Sequence, residues 1–230
     1  MIRRIGLLHH PKLPATQPAA VAMARDSAAH GVEAWMGSTW DEDVVMAEID
    51  RLDLLVTLGG DGSILRAARM AGSHGVPVLG IKMGRLGFMA ELDPDQWSAA
   101  LPRLLAGEYW IEERMMLHIS HLRRGKILDE WEVLNEVVVC RGEMVRPVNL
   151  VARVEGYTLA SYVADGLIAS TPTGSTAYAL AVDGPVLPPE MRNILLVPIA
   201  PHMSFDRAIV LAEGTEVSIT VQTRHDAVLS

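Results

Sequence analysis

Asp61 has glycine on both sides in Gly59-Gly60-Asp61-Gly62-Ser63, after the apolar run DLLVTL and before the helical-looking ILRAARMAG. Glycines at the end of a buried strand let backbone amides come close to a phosphate, and a helix start favours an anion. A carboxylate there repels that phosphate, so Asp61 needs a role of its own. It either accepts a proton from an attacking hydroxyl, as a base does in phosphoryl transfer, or organises a metal ion. The competing reading is an Asp that caps the following helix. The loop is not a Walker A element, since no Gly-Lys-Ser/Thr follows. Nor is it a full dinucleotide fingerprint, because the third glycine is missing at its offset.

Three further constellations carry chemistry. Gly80-Ile81-Lys82-Met83-Gly84-Arg85-Leu86-Gly87-Phe88 is a second glycine-rich element after the next apolar run, either a ligand loop or a flexible connection. Asn135-Glu136 interrupts the apolar LNEVVV; an amide beside a carboxylate suits the hydroxyls of a sugar, or simply faces solvent in a turn. The densest is DGLIASTPTGSTAY, Asp165 to Tyr178. Its small hydroxylated residues around Pro172 and Gly174 make a donor-rich loop, and Tyr178 offers an aromatic wall for a nucleotide.

The elements that must position these residues fall into two grammars. Up to residue 107, short apolar runs alternate with helical segments. RIGLLHH is a strand, the Ala-rich PAAVAMARDSAAHG a helix closed by Gly31, VEAWM a strand and DEDVVMAEIDRL a helix. DLLVTL and VPVLGI are strands on either side of the helix after Asp61, and DPDQWSAALPRLLAGE holds a helix broken late by Pro102. Such alternation predicts an α/β domain with a parallel sheet covered on both faces, whose ligands bind outside the carboxyl ends of the strands. The Asp61 loop falls there. Residues 108–230 instead show strand-like alternation, with turn signals at Arg124-Gly125 and Glu155-Gly156 and later strands in ILLVPIA and EVSITVQT. This predicts a second, mostly antiparallel β-rich domain. A cleft between the domains is the expected place for a ligand.

Composition bounds the rest. Half of the 230 residues are hydrophobic, enough for real cores. Twenty basic against 28 acidic residues give a net charge of −8, which argues against a broad nucleic-acid or anionic-membrane footprint. The single cysteine, Cys140, excludes an intramolecular disulfide, suits a reducing cytosol and reads as a small buried hydrophobe. The N-terminal apolar segment is too short for a signal peptide, and no segment has the length of a membrane-spanning helix. A cytoplasmic location is expected.

Taken together, TLGGDGS, GRLGF, LNEVVV and DGLIASTPTGSTAY resemble the NAD kinase family in order and approximate spacing, and the likeness runs from IGLLHHP to SFDRAIVL. Gly-Gly-Asp-Gly alone is shared with phosphofructokinases and lipid kinases; TPTGSTAY preceded by Asp-Gly-Leu-Ile is far more specific. The resemblance implies phosphoryl transfer from ATP or polyphosphate to the adenosine 2′-hydroxyl of NAD, with Mg²⁺, by a homodimer or homotetramer. It implies Asp61 as general base and Gly62 lining the NAD site. It also carries Arg66, Asn135, Glu136, Arg146 and Asp165 over as dinucleotide contacts. Thr173 and the run Thr176, Ala177, Tyr178, Ala179, Leu180 and Ala181 match the loop and helix start that grip the substrate.

The chain departs from the family pattern in places. Lys82 stands where many members have Asn, Val182-Asp183-Gly184 replaces the usual Ala-Gly-Gly, and Ala179 and Ala181 stand where some have Ser. Val163 lies where some place a basic residue. The chain stops at AVLS, where members usually continue with an Asp-Gly-Gln-like turn and further strands. Truncation, an unobserved end and a short variant all account for this. Two rival readings are a lipid kinase sharing the Gly-Gly-Asp-Gly loop and a non-catalytic dinucleotide-binding module.

Overall fold

The structure is a computed structural model that describes residues 2–84, 89–142, 146–202, 205–222 and 227–230. The chain divides into two compact units, Met1–Ile111 and Glu112–Ser230. The expected division lay at 107/108.

The first unit alternates strand and helix as its apolar spacing predicts. Strands β1 (Arg4–His9), β2 (Glu33–Ser38), β3 (Leu54–Gly59) and β4 (Val78–Lys82) form one sheet in the order β2-β1-β3-β4, with every pair parallel. Residues two apart on a strand share a face, and the sequence fills both faces with apolar side chains. Ile5, Leu7, Val56 and Leu58 pack on one side with Ala20 and Met23 of α1 (Thr16–Ala29) and with Trp97 and Leu101 of α4 (Trp97–Leu105). Leu8 and Leu55 point to the other side. They meet Val45 of α2 (Glu42–Met46) and Ala67, Met70 and Ala71 of α3 (Asp61–Gly72). The parallel α/β architecture is therefore as expected.

Two helices differ from expectation. The segment DEDVVMAEIDRL is not one helix: α2 ends at Met46 and a separate 3₁₀ turn follows over Ile49–Arg51. Both pieces turn an apolar residue, Val45 and Ile49, into the same core. Pro102 does not break its helix; α4 runs through it to Leu105. The proline forfeits one backbone hydrogen bond, and the full burial of Trp97 and Leu101 offsets the loss.

Every strand pair of the second unit is antiparallel. Strands β7 (Glu136–Arg141), β10 (Gly166–Ser170), β11 (Asn193–Ile199), β12 (Ile209–Ala212) and β14 (Ala227–Leu229) form a sheet ordered β12-β11-β10-β7-β14. A three-stranded sheet, β13-β8-β9, joins β8 (Val148–Val154), β9 (Tyr157–Ala164) and β13 (Val217–Val221). Strands β5 (Leu117–Arg123) and β6 (Lys126–Val133) make a hairpin. Both predicted turns are real: Arg124-Gly125 and Glu155-Gly156 have φ of 53° and 74°, and of 50° and 79°. Two successive left-handed residues match the twist of the flanking strands. The core of this unit joins Ile168, Leu195 and Val197 of the large sheet to Ala179 of the short helix α5 (Tyr178–Ala181).

Candidate functional site

In the first unit the order β2-β1-β3-β4 reverses its direction of growth between β1 and β3, and the crevice beyond their carboxyl ends is the place such sheets bind ligands. Chain and geometry meet there. His9 is level with Ser38 and with Leu58, so the loops after β1, β2 and β3 leave the sheet side by side. They enclose a cleft of about 230 Å³ lined by His10, Trp40, Gly60, Gly62, Ser63 and Arg66.

Asp61 is the first residue of α3, and Gly60, with extended backbone, is the cap residue; no side chain caps this helix. The capping reading of Asp61 therefore fails. Its carboxylate instead accepts the backbone N–H of Met89 at 3.3 Å. The first amides of a helix have no intrahelical acceptor, so this start offers donors to an anion beside a carboxylate. The glycines divide by task. A Cβ on Gly59 would stand 2.2 Å from Ser63 Oγ and 2.7 Å from Ser63 Cβ, so Gly59 is required for the tight turn from strand to helix. At Gly60 and Gly62 a Cβ would meet no protein atom within 4 Å. Packing does not require these two glycines.

Of the second glycine-rich element, Gly80 to Gly84 are described, while Arg85-Leu86-Gly87-Phe88 lie outside the described residues. Met83 N–H donates to the Gly59 carbonyl at 2.9 Å, which ties this loop to the Asp61 loop. Lys82 directs its ammonium toward Asp93 at 3.9 Å.

In the second unit, sequence-distant motifs become neighbours through one strand ladder. Glu136 is the cross-strand partner of Ser170, and the Thr171 N–H donates to the Asn135 carbonyl at 2.8 Å. The hydroxyl of Thr171 donates to the Leu134 carbonyl and accepts the Gly174 N–H, folding the loop back onto the strand. A Cβ on Gly174 would come within 2.5 Å of the Asn135 carbonyl oxygen, so only glycine fits against that backbone. Gly166 to Ser170 is a fully buried strand, and the donor-rich loop around Pro172 and Gly174 begins at Thr171.

Three polar atoms here are buried without a hydrogen-bond partner: Asn135 Oδ1, Glu136 Oε2 and Thr173 Oγ1. Burial pushes the Glu136 carboxyl above its usual range, opposed in part by the Tyr178 N–H that it accepts. Orphaned buried polar groups are costly, and a ligand that pairs them recovers that cost. Thr176 donates its hydroxyl to the Thr173 carbonyl, and Tyr178 presents a half-exposed ring. Ala177 leads into α5, where Leu180 and Ala181 are exposed, but Ala179 is fully buried beside Ile168 and Leu195. Ala179 serves the core with its side chain. Asp165 pairs with the Arg141 guanidinium at 3.0 Å, at the end of the same ladder. Arg146 is exposed just before β8.

Sequence reasoning passed over Lys12, His10 and Trp40. Their signal was position: each lies within three residues of the carboxyl end of one of the first two strands, where α/β sheets gather ligands.

The profile of the ATP-NAD kinase N-terminal domain matches residues 11–109, and that of the ATP-NAD kinase C-terminal domain matches residues 134–230. An NAD kinase of Dehalococcoides mccartyi is 36% identical over 231 residues, covering 100% of this chain and 81% of the relative. An NAD kinase of Heliobacterium modesticaldum is 45% identical over 175 residues, 76% of this chain and 62% of the relative. Among solved structures, yeast NADH kinase complexed with NADH superposes with a TM-score of 0.82 at 25% identity, covering 100% of this chain and 74% of that one. An Archaeoglobus fulgidus NAD kinase in complex with ATP gives 0.79 at 23% identity, covering 99% and 83%, a likeness of fold.

Proposed function

The chain belongs to the NAD kinase family of phosphotransferases, and from that premise we propose that Asp61 is the base that accepts the proton of the adenosine 2′-hydroxyl of NAD. The 2′-oxygen forms its bond to the terminal phosphorus of ATP as the bridging P–O bond breaks, releasing ADP, and the proton passes to the Asp61 carboxylate. Neither the lipid-kinase reading nor the non-catalytic module finds support among the matches. The observation that carries the proposal is the start of α3, where amides suited to a phosphate stand beside a carboxylate suited to a hydroxyl proton. Phosphoryl transfer asks mainly for alignment and charge stabilisation, and a base adds on the order of 10²–10⁴ in rate.

Gly62 and Arg66 border the cleft beside Asp61 and are assigned to the anionic part of the substrate. Asn135, Glu136 and Thr173 are assigned to the dinucleotide because their unpaired buried atoms need partners. Thr176, Ala177, Tyr178, Leu180 and Ala181 form the adjoining wall, Ala179 supports it from the core, and Asp165 and Arg146 complete the set of contacts. Polyphosphate is the alternative donor.

Magnesium is assigned to the donor's phosphates. Among the described residues no group of three or more His, Cys, Asp or Glu side chains stands ready for a metal, whereas Mg²⁺ in phosphotransfer sites is held by one or two carboxylates and phosphate oxygens. The Asp61 carboxylate beside a phosphate loop fits that mode. When bound, the ion offsets charge on the transferred phosphoryl oxygens. No helix among the described residues is long and apolar enough to cross a membrane; a cytoplasmic homo-oligomer is proposed with the family.

The dinucleotide assignment is tested by calorimetry. Asn135→Ala is expected to weaken NAD binding by roughly tenfold, the ~1–2 kcal/mol of a lost buried hydrogen bond. Unchanged affinity in the folded variant overturns the assignment.

A further inference from the structure

We propose that Lys12, Trp40 and Arg66 form a clamp for the phosphoanhydride chain of the donor, with Trp40 as the platform that holds the two cations in place. The proposal rests on the kinase reading above, adds Lys12 and Trp40 to it, and moves Arg66 from the anionic part of the dinucleotide to that of the donor.

The cations share one ring. Lys12 Nζ stands 4.6 Å from the centroid of the Trp40 ring, and the Arg66 guanidinium carbon stands 5.7 Å from it. Cations at such distances are attracted by the ring's negative face. Two cations gathered on one ring favour an anion near them. The platform is itself held. The Trp40 backbone N–H donates to Ser38 Oγ at 3.1 Å, and the His10 ring meets the Trp40 ring edge-on at 5.7 Å. Lys12 is positioned by its own N–H, which donates to His10 Nδ1 at 3.1 Å. His10 is in turn fixed by its N–H to Thr16 Oγ1.

A second observation points to a ligand. Ser63 is 3% exposed, its Oγ has no hydrogen-bond partner, and it lines the cleft together with Trp40 and Arg66. A buried hydroxyl left unpaired is a donor awaiting an acceptor. The cleft, of about 230 Å³, has room for a phosphate chain. The open space at Gly60 and Gly62 leaves the amides of the α3 start accessible to that chain.

The chemistry is shared by ATP and linear polyphosphate, and the experiment separates them from each other and from the base. Lys12→Ala, Lys12→Arg, Trp40→Leu and Trp40→Phe alter exposed side chains. In the full chain, Lys12→Ala and Trp40→Leu are expected to raise the KM for ATP at least fivefold, with the KM for NAD within twofold. Lys12→Arg and Trp40→Phe restore most of the loss. Calorimetry with inorganic tripolyphosphate is read independently of turnover: binding weakens at least fivefold in Lys12→Ala and returns in Lys12→Arg. Turnover with ATP or with polyphosphate identifies the source of the chain. Unchanged tripolyphosphate binding in both Lys12→Ala and Trp40→Leu overturns the clamp, as does an equal loss of adenosine binding, which assigns the cleft to the base. Absence of NADP formation with tripolyphosphate binding intact overturns the kinase reading and leaves the clamp standing.

Discussion

Gly62→Ala is expected to make the protein more stable and the enzyme worse. Gly62 lies in the first turn of α3 without positive φ, and an added Cβ meets no protein atom within 4 Å. Alanine in such a helical position gains about 0.4–1 kcal/mol over glycine, chiefly by narrowing the unfolded ensemble. For a chain of this size that corresponds to a rise in Tm of about 1–4 °C. The methyl group nevertheless occupies the space through which a phosphate reaches the amides of the helix start. Loss of one charge-assisted N–H contact, about 1.5–3 kcal/mol, lowers kcat/KM by roughly 10- to 100-fold. Gly59→Ala is the control of opposite sign. Its Cβ would lie 2.7 Å from Ser63 Cβ, a clash that no rotamer relieves, so it destabilises by about 1–3 kcal/mol. Thermal unfolding and steady-state kinetics on the two variants decide the matter. A destabilised Gly62→Ala, or a stabilised one with full activity, refutes the assignment of this glycine to a ligand.

Further outcomes follow from the second unit. Glu136 has its carboxyl raised by burial, so the folded state holds the proton that the unfolded state releases, and stability falls as pH rises through and above about 4.5. Glu136→Gln is expected to flatten that slope in denaturant titrations between pH 4 and 8 while weakening NAD binding; an unchanged slope contradicts the buried carboxyl. On the β5–β6 hairpin, His118 hydrogen-bonds Glu132 at 2.7 Å and Glu130 at 3.2 Å, which raises its pKa above 6.5. The stabilisation is present in full below 6.5 and is lost as pH rises through the raised value. An NMR titration of the imidazole is expected to show that raised midpoint and its return toward 6.5 in Glu132→Gln; a midpoint indifferent to the substitution removes the pairing.

Much of this architecture is legible in the residues because local pattern and global fold agree. Runs such as IGLL and LLVTL, apolar at nearly every position, announce strands buried on both faces, and the structure places alternate side chains in two different cores. Arg124-Gly125 and Glu155-Gly156 mark hairpins through left-handed backbone alone. Where tertiary packing overrides local chemistry, the reading slips. Pro102 sits inside a helix because Trp97 and Leu101 anchor it. Asp61 has the composition of a cap, yet Gly60 takes that place. The pairing of Asn135 with Thr171 depends on strand register, and the convergence of Lys12 and Arg66 on Trp40 depends on three loops leaving one sheet edge together. Neither relation is written in any single stretch of the chain.

The central claim is that Asp61 takes the hydroxyl proton in phosphoryl transfer to NAD. Its most direct test is NADP formation from NAD, ATP and Mg²⁺ by the chain and by Asp61→Asn, with NAD affinity measured on both. The predicted result is turnover in the parent chain and a fall on the order of 10²–10⁴ in kcat for Asp61→Asn, with NAD affinity within a few-fold. Equal kcat in a folded Asp61→Asn contradicts the claim.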